Sequence, residues 1–529
     1  MVRKIHFLIF IHLLSKIIYP QIYPELDWYK IYNGPGNSYD FSHGVVLVDS
    51  EIYVAGGSYM PDGYADAFFI KYSKEGDSLF SFFYSLQPNV RDEYNSVAVD
   101  ENSQIYLTGV TTVGIEKRMI FQKYSSSGEN LWTENFNFKA RGLKVIMDKN
   151  NSPVLAYDNW EGPRYTHLVI NKFNSSGDSI WAAVFRSDTT AYSVAGLLID
   201  DENYIYVPIV QLQVKNGESI YYSSVACVKD GVILWHKYLS GSINRGIVFD
   251  KEKNIIALTQ DSSRIYKIDH STGEFIWEKN INDSLYQINI LTNACVDNQN
   301  NIIAAGYNSY FNSDVQIKKL SPSGEVLWMK NYNSPDNLSD LPLGILIDKN
   351  DDVYASVGSE DSLGGYPYTS VLKLSKDGDK EWEYFFNVPN YEQSYFSPFF
   401  IDDSLNLYLG GSIYNSISAS NIFIMKLLQK SGTAVKDPPV VSGSYSLQQN
   451  YPNPFNPTTN FGFRIANFGF VSLKLFDIVG REVATLVNEE KSPGYYKVEF
   501  DGSRLASGVY FCRLQAGGFT DTKKIILLR

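Results

Sequence analysis

The stretch VVLVDSEIYVAGG occupies Val45–Gly57. An apolar run ends in an aspartate, a polar step follows, and a second apolar run ends in glycine. Alone, this is the signature of one β-hairpin. It is not alone. SVAVDENSQIYLTG (Ser96–Gly109) and KVIMDKNNSPVLAY (Lys144–Tyr157) repeat it. The aspartates Asp49, Asp100, Asp148, Asp200, Asp250, Asp297, Asp348 and Asp402 give eight marks, 47 to 54 residues apart.

A second mark trails each of the first seven by about thirty residues. It is a strand, a glycine turn and an aromatic, as in FQKYSSSGENLWTENF with Trp132 and IKKLSPSGEVLWMKNY with Trp328. Trp181, Trp235, Trp277 and Trp382 hold the same place, and Phe80 holds it in the first copy. Each repeat therefore supplies four short strands: A ending in the aspartate, B after it, C before the glycine turn and D carrying the aromatic. Four antiparallel strands at this period describe a β-propeller blade. The eighth copy has no D strand of its own. ELDWYKIYNG near the N-terminus supplies one, since Trp28 to Phe80 is 52 residues, as is Phe80 to Trp132. The expected fold is all-β: an eight-bladed propeller over 26–430, its ring zipped by residues 26–33, which leaves no open seam of unpaired strand edges. The tryptophans are expected to fill the wedges between neighbouring sheets, each burying roughly 200 Å².

Composition agrees. The 529 residues are 44% apolar and 20% charged, with 39 Tyr and 31 Phe, so the chain is globular and rich in strand formers. A net charge of −12 without a Lys/Arg stripe disfavours nucleic acid as a partner. Cys227, Cys295 and Cys512 are odd in number and embedded in apolar runs, so no disulfide framework is expected. The six histidines are scattered, without zinc spacing. Residues 1–21 begin with Arg3 and Lys4 before the apolar run Ile5–Leu14, which reads as a secretory signal peptide rather than a membrane span.

The repeat resembles bacterial propeller repeats of the form D-x-x-x-N-I-Y-V-x-G followed by D-A-F-x-x-K-x-x-x-x-G-x-x-x-W, with ADAFFIKYSKEGDSLF (Ala65–Phe80) close to the second half. It also resembles quinoprotein-type eight-bladed propellers with a T-G-x-x-x-W docking segment, as at Thr272, Gly273 and Trp277. Such likeness specifies fold, not function.

After QKSGTAVKDPPVVSGS, whose 431–444 reads as a linker, comes SLQQNYPNPFNPTTNFGFRI. Prolines fix φ and remove an N–H donor, so this segment makes a stiff entry into the strands beyond it. VSLKLFDIVGREVATLVN, GYYKVEFDGSRLASGVYFCRLQAGG and TDTKKIILLR complete about seven strands, expected as a small β-sandwich over 445–529. The segment resembles the type A C-terminal sorting domain of type IX secretion cargo in Bacteroidetes- and Ignavibacteria-like bacteria. The motif falls on Pro452, Pro454, Pro457, Gly480, Arg481, Gly508, Tyr510, Lys523 and Lys524. The resemblance implies the type IX machinery as partner, and export through the periplasm to the medium or the outer cell surface.

Motifs for chemistry dissolve into the repeat. GDSL at Gly76–Leu79 names a hydrolase family, but GDSI at Gly177, GENL at Gly128 and GEVL at Gly324 show a recurring C–D turn. The Asp-rich A–B turns lack the glycine and distant glutamate of an EF-type loop and read as turn chemistry. No catalytic, cofactor or metal residues are assigned. The A–B and C–D turns share one end of a propeller and are short here. The B–C and D–A connections share the other and are irregular: SYMPDGYAD, YDNWEGPRYTH, VQLQVKNGESIYY and GSEDSLGGYPYTS. Function concentrates on such loops. Their aromatics, Tyr59, Tyr64, Trp160, Tyr165, Tyr221, Tyr222, Tyr366 and Tyr368, are the candidate contacts for a glycan or peptide. The expectation is a monomeric secreted or surface-displayed binding or scaffold protein. The alternative is a secreted carbohydrate-active enzyme, a polysaccharide lyase or glycosidase.

Overall fold

A computed structural model describes residues 23–430 and 445–528, apart from 115, 161–165, 187–189, 216–217, 261–262, 282–289, 308–312, 335–337, 361–367, 387–392, 416–418, 448–449, 451, 466–468 and 492–493. The expected signal peptide and the linker lie outside the described residues. All regular structure among the described residues is β-strand.

Repeat 1 pairs Asp40–Val48, Glu51–Tyr59, Ala65–Tyr72 and Ser78–Tyr84 antiparallel, in chain order. Repeats 5, 6 and 7 form equivalent four-stranded sheets. In repeat 4 the A strand is split into Thr190–Val194 and Leu198–Ile199, both against Ile205–Lys215. Repeats 2 and 3 share one strand, Asn130–Met147. It serves Glu116–Tyr124 as far as Lys139 and Pro153–Trp160 from Ala140 onward. The result is a seven-stranded sheet where a D–A loop was expected. Repeat 8 contributes Gln393–Ile401, Leu407–Asn415 and Ala419–Lys430, and its fourth strand is Tyr23–Tyr32, with Trp28 opposite Lys426.

The marking aspartates fold the A–B turns. Asp200 Oδ1 accepts the N–H groups of Glu202 and Tyr204, and Asp348 Oδ1 those of Asn350 and Asp352. Asp100, Asp148, Asp250, Asp297 and Asp402 do the same. The other oxygen meets a B-strand tyrosine hydroxyl (Tyr354 at 3.0 Å from Asp348, Tyr408 at 3.1 Å from Asp402) or a C-strand lysine (Lys267 and Lys319, each at 2.8 Å). Burial pushes the Asp297 carboxyl up, but bonds from Lys319 and Asn301 outweigh it and hold it below the usual carboxylate range. These turns are held by bonds within their own chain, the local side-chain-to-backbone pattern of turn chemistry. Asp49 differs: its two-residue turn places Asp49 and Ser50 at φ 50° and 63°, the tight hairpin geometry that matches strand twist.

Sheets pack face to face. Tyr53, Ala55 and Phe69 of repeat 1 pack with Tyr94, Val97 and Leu107 of repeat 2. The other face of repeat 1, with Ile52, Val54 and Phe68, packs against Tyr408, Ile422 and Ile424 of repeat 8. The wedge is thus filled by B- and C-strand residues, and the expectation for the tryptophans needs correction. Apart from Trp382, 3% exposed, they are half-buried. All six lie on the next repeat's C–D turn, and five donate Nε1–H to a carbonyl there. Trp132 Nε1 and Lys123 Nζ donate to one carbonyl, that of Ser175, at 3.1 and 3.0 Å. Trp328 and Lys319 share that of Lys376 in the same way. Turn glycines accept the rings: a Cβ on Gly378, at φ +83°, would stand 3.0 Å from Trp328. An amphipathic indole, apolar on its face and polar at one edge, suits this half-wet position better than the dry wedge.

The C-terminal region forms two antiparallel sheets, one of three strands and one of four. Phe461, Phe463 and Ile465 from the first share a core with Leu473, Leu475, Leu514 and Ile525 from the second. The proline-rich entry is clamped to the last strand. Phe455 N donates to Ile526 O at 2.9 Å, Leu528 N to Phe455 O at 3.0 Å, and Asn453 Oδ1 accepts Ile526 N–H at 2.9 Å.

Candidate functional site

At the B–C and D–A end, strand A opens in repeats 1, 2 and 7 on a buried aspartate: Asp40, Asp92 and Asp340, exposed by 1%, 0% and 0%. Each accepts the backbone N–H six residues upstream: Gly34 at 2.7 Å, Leu86 at 3.1 Å and Ser334 at 2.6 Å. Each also takes a hydroxyl: Ser58 at 2.6 Å, Ser85 at 3.3 Å and Ser359 at 2.7 Å. They cap the D–A loops. Burial raises all three carboxyls, Asp340 to about 6, against the lowering effect of its hydrogen bonds.

Repeats 2 and 3 gather charge at this end. Arg91 Nη2 pairs with Glu93 at 2.8 Å, and its guanidinium lies 5.6 Å from the Phe41 ring of repeat 1. Arg118 and Lys139, opposite one another in the sheet, share Glu116 at 3.4 and 3.1 Å. Arg141 pairs with buried Asp158 at 2.8 Å. Lys117 Nζ stands 5.3 Å from the Trp160 ring, which joins repeat 2 to repeat 3. Lys144 stands on the shared strand, within electrostatic reach of His43 on strand A of repeat 1. Burial holds the Lys144 amine below its ordinary value. Among the described residues neither Lys117 nor Lys144 has a carboxylate at ion-pair distance. His43 is open to solvent, yet the protein around it pushes its imidazole below the ordinary value, and Arg91 and Lys144 reinforce this against Glu93. The lowering favours the neutral imidazole.

The expected aromatics sit around this end but do not form one platform. Tyr59 is half-buried, its ring 6.2 Å from that of Tyr39. Tyr64 is 40% exposed, and Tyr221 and Tyr222 are 60% and 39% exposed on Glu218–Lys229. Trp160 is half-buried beside Lys117. No ring contact joins these five among the described residues. Tyr368 begins Tyr368–Leu374 opposite Ser359; Tyr165, Tyr366 and the side chain of Tyr368 lie outside the described residues. The capping aspartates and the cations were missed by sequence reasoning. The former had a signal, a second aspartate eight or nine residues before the repeat mark. The cations are brought together by pairing across strands and repeats.

The sorting-motif residues hold the C-terminal sheets in shape. The Pro452 carbonyl accepts Thr459 Oγ1–H at 2.8 Å and Asn450 Nδ2–H at 3.0 Å. The bond before Pro454 is cis. Pro457 O accepts Gly502 N–H at 2.8 Å, and a Cβ on Gly502 would stand 3.0 Å from Phe455. Gly480 turns at φ +83°, and Arg481 Nε donates to Asp477 at 2.8 Å. This presents Ile478 and Val479 at 72% and 69% exposure. Gly508 begins a strand in which Tyr510 is buried, its hydroxyl donating to Ala506 O at 2.8 Å. Lys523 pairs with Asp521 at 3.2 Å, and Lys524 is exposed opposite Phe511.

Among solved structures, the chain is similar to quinohemoprotein alcohol dehydrogenase ADHIIG from Pseudomonas putida HK5 (12% identity, 80% of this chain and 78% of that one, TM-score 0.47). It is similar to BamB from Moraxella catarrhalis (12%, 75% and 98%, 0.43) and to Chaetomium thermophilum Sqt1 (7%, 77% and 100%, 0.49). These likenesses are distant, and the repeat architecture rests on the pairings above. No curated protein sequence matches the chain. Residues 449–528 match the family described as secretion system C-terminal sorting domain. The chain is a β-propeller repeat protein that carries a type IX secretion sorting domain at its C-terminus.

Proposed function

We propose that the chain is an exported binding protein: an eight-bladed propeller over 26–430 closed by the N-terminal strand, a linker at 431–444, and the sorting domain over 445–529 as a small sandwich. The seven-stranded sheet counts as two blades sharing a strand. Closure is supported by equivalence. Trp28 and Lys426 both donate to the carbonyl of Lys74, at 3.1 and 3.2 Å, as Trp132 and Lys123 do to Ser175. The register shift at Leu26/Trp28 recurs in the C–D hairpins, for example at Lys319/Leu320.

The sorting domain implies secretion or cell-surface localisation by type IX export, and no helix is long and apolar enough to cross a membrane among the described residues. A signal peptide at 1–21 would start the chain through the periplasm. The observation that carries the binding reading is the unequal chemistry of the two blade ends: the turns of one are tied to their own and the next repeat by recurring bonds, and the other holds exposed rings and two lysines with no carboxylate at ion-pair distance among the described residues. Two experiments test it. Removal of 445–529 in a type IX-competent host is expected to retain the protein inside the cell; unchanged export refutes the sorting role. Glycan and peptide arrays probed with the purified full-length protein are expected to give hits that mutations at the B–C and D–A end abolish; no hits refute the binding role.

A second reading, a polysaccharide lyase or glycosidase, is favoured by His43, an exposed imidazole whose surroundings favour the neutral form that a general base needs. Its test is turnover of array hits, lost in His43→Ala.

A further inference from the structure

The geometry points to an acidic polysaccharide, its uronate carboxylates seated at Lys144 and Lys117 and its rings against Trp160, as the ligand of the blade 1–3 end. This rests on the binding reading and names its ligand class.

At this end Arg91, Arg118, Lys139 and Arg141 stand among Glu93, Glu116 and Asp158, while Asp40 and Asp92 are enclosed with carboxyls raised by burial and Asp62 and Asp66 stand on the B–C side of repeat 1. Lys117 and Lys144 are left over. An amine taken partly out of water without a counter-ion is costly to keep charged; an incoming carboxylate relieves that cost. Lys144 pairs with Ala156, and Trp160 lies four residues further along the same strand. At the usual rise this separates the two positions by about 13 Å, a span for a polymer with repeating charges rather than a single small anion. Aromatic rings flank this end at Tyr64 and Tyr59, and apolar ring faces are complementary to the C–H faces of pyranoses. The acidic chain as a whole argues against nucleic acid, whose dense phosphates demand a broader cationic track.

The test uses polygalacturonate and its fully methyl-esterified form, which keeps the backbone and removes the charge. Binding to the full-length protein is measured by calorimetry at low and high salt. Polygalacturonate is expected to bind at least ~10-fold more tightly than the ester, with affinity falling as salt rises. Lys144→Gln and Lys117→Gln are each expected to weaken it ~5- to 10-fold with unchanged melting temperature, and Trp160→Ala to weaken it as well. Equal binding of acid and ester, or lysine variants that bind like the parent, overturns the assignment while leaving the binding reading intact. Polyglutamate binding as tightly as polygalacturonate with the same lysine dependence overturns the saccharide class. Array hits confined to neutral glycans overturn the acidic class. Silence on every array defeats the broader reading instead.

Discussion

The two ends of the repeats are built from the same strands and differ in every other respect. At the A–B and C–D end each turn spends its polar groups on itself or on the next repeat. Glu101 N donates to Asn151 Oδ1 at 2.9 Å, Lys149 N to Asn203 Oδ1 at 2.8 Å and Lys251 N to Asn300 Oδ1 at 2.8 Å, so neighbouring turns are stitched by one bond in one geometry. At the other end the stitching is irregular: aspartate caps in three repeats, a strand running straight through in another, and two lysines with no carboxylate at ion-pair distance among the described residues. Where a repeat has exhausted its polar groups on its neighbour, nothing remains to recognise a ligand. Where it has not, stability is lower and recognition becomes possible.

The contrast breaks most severely if the N-terminal strand is not the last repeat's own. Deleting 23–32 exposes the edge of Ala419–Lys430 and uncovers Tyr408, Ile422 and Ile424. The melting temperature is expected to fall by about 10 °C or more, with aggregation at the freed edge; an unchanged melt refutes closure. Next in size, Trp132→Ala removes the ring from the following turn and the bond to Ser175 O, with an expected loss of about 2–4 kcal/mol in denaturant unfolding. Gly378→Ala presses a methyl toward Trp328 at positive φ and is expected to cost about 1–2 kcal/mol. A pH series sharpens the comparison from the other end. The folded Asp340 carboxyl, raised from 3.8 to about 6, holds its proton more tightly than the unfolded one. Its contribution is therefore fully present below pH about 3.8 and lost as pH rises to about 6. Relative to Asp340→Asn, the parent is expected to lose up to about 3 kcal/mol across that window; parallel curves refute the shift. The smallest effect belongs to Tyr221→Ala and Tyr222→Ala, expected within about 0.5 kcal/mol of the parent. A large destabilisation there would show that these rings serve packing, not contact.

Much of the architecture was legible because repetition multiplies weak signals. Eight aspartates at one spacing say more than any single hairpin, and Trp28 could be assigned to a distant sheet by arithmetic alone. The shared strand was missed although FNFKAR (Phe136–Arg141) alternates apolar and polar residues throughout: the pattern marks a strand, and only the pairing on both sides shows that its two halves serve different repeats. The role of the tryptophans was half read. Sequence shows an aromatic at a fixed place but not that its N–H finds a carbonyl across the interface. The candidate site was least legible. Arg118 and Lys139 are separated by a hairpin turn and 21 residues, and Lys144 and His43 by a hundred residues. Partner counting, which decides which cation is left over, has no counterpart in one dimension.

The pairing of Trp28 with Lys426 also sets a timetable. These residues are 398 positions apart, so Tyr23–Tyr32 finds its place only after Ala419–Lys430 has been made. At ribosomal rates of about 5–20 residues per second, that interval is about 20–80 s. Through it the nascent N-terminus carries a ready strand with no partner, and a second growing copy could offer it one. Conditions that crowd young chains together should therefore favour strand-swapped pairs, in which Tyr23–Tyr32 of one copy adds to the edge of Ala419–Lys430 of another.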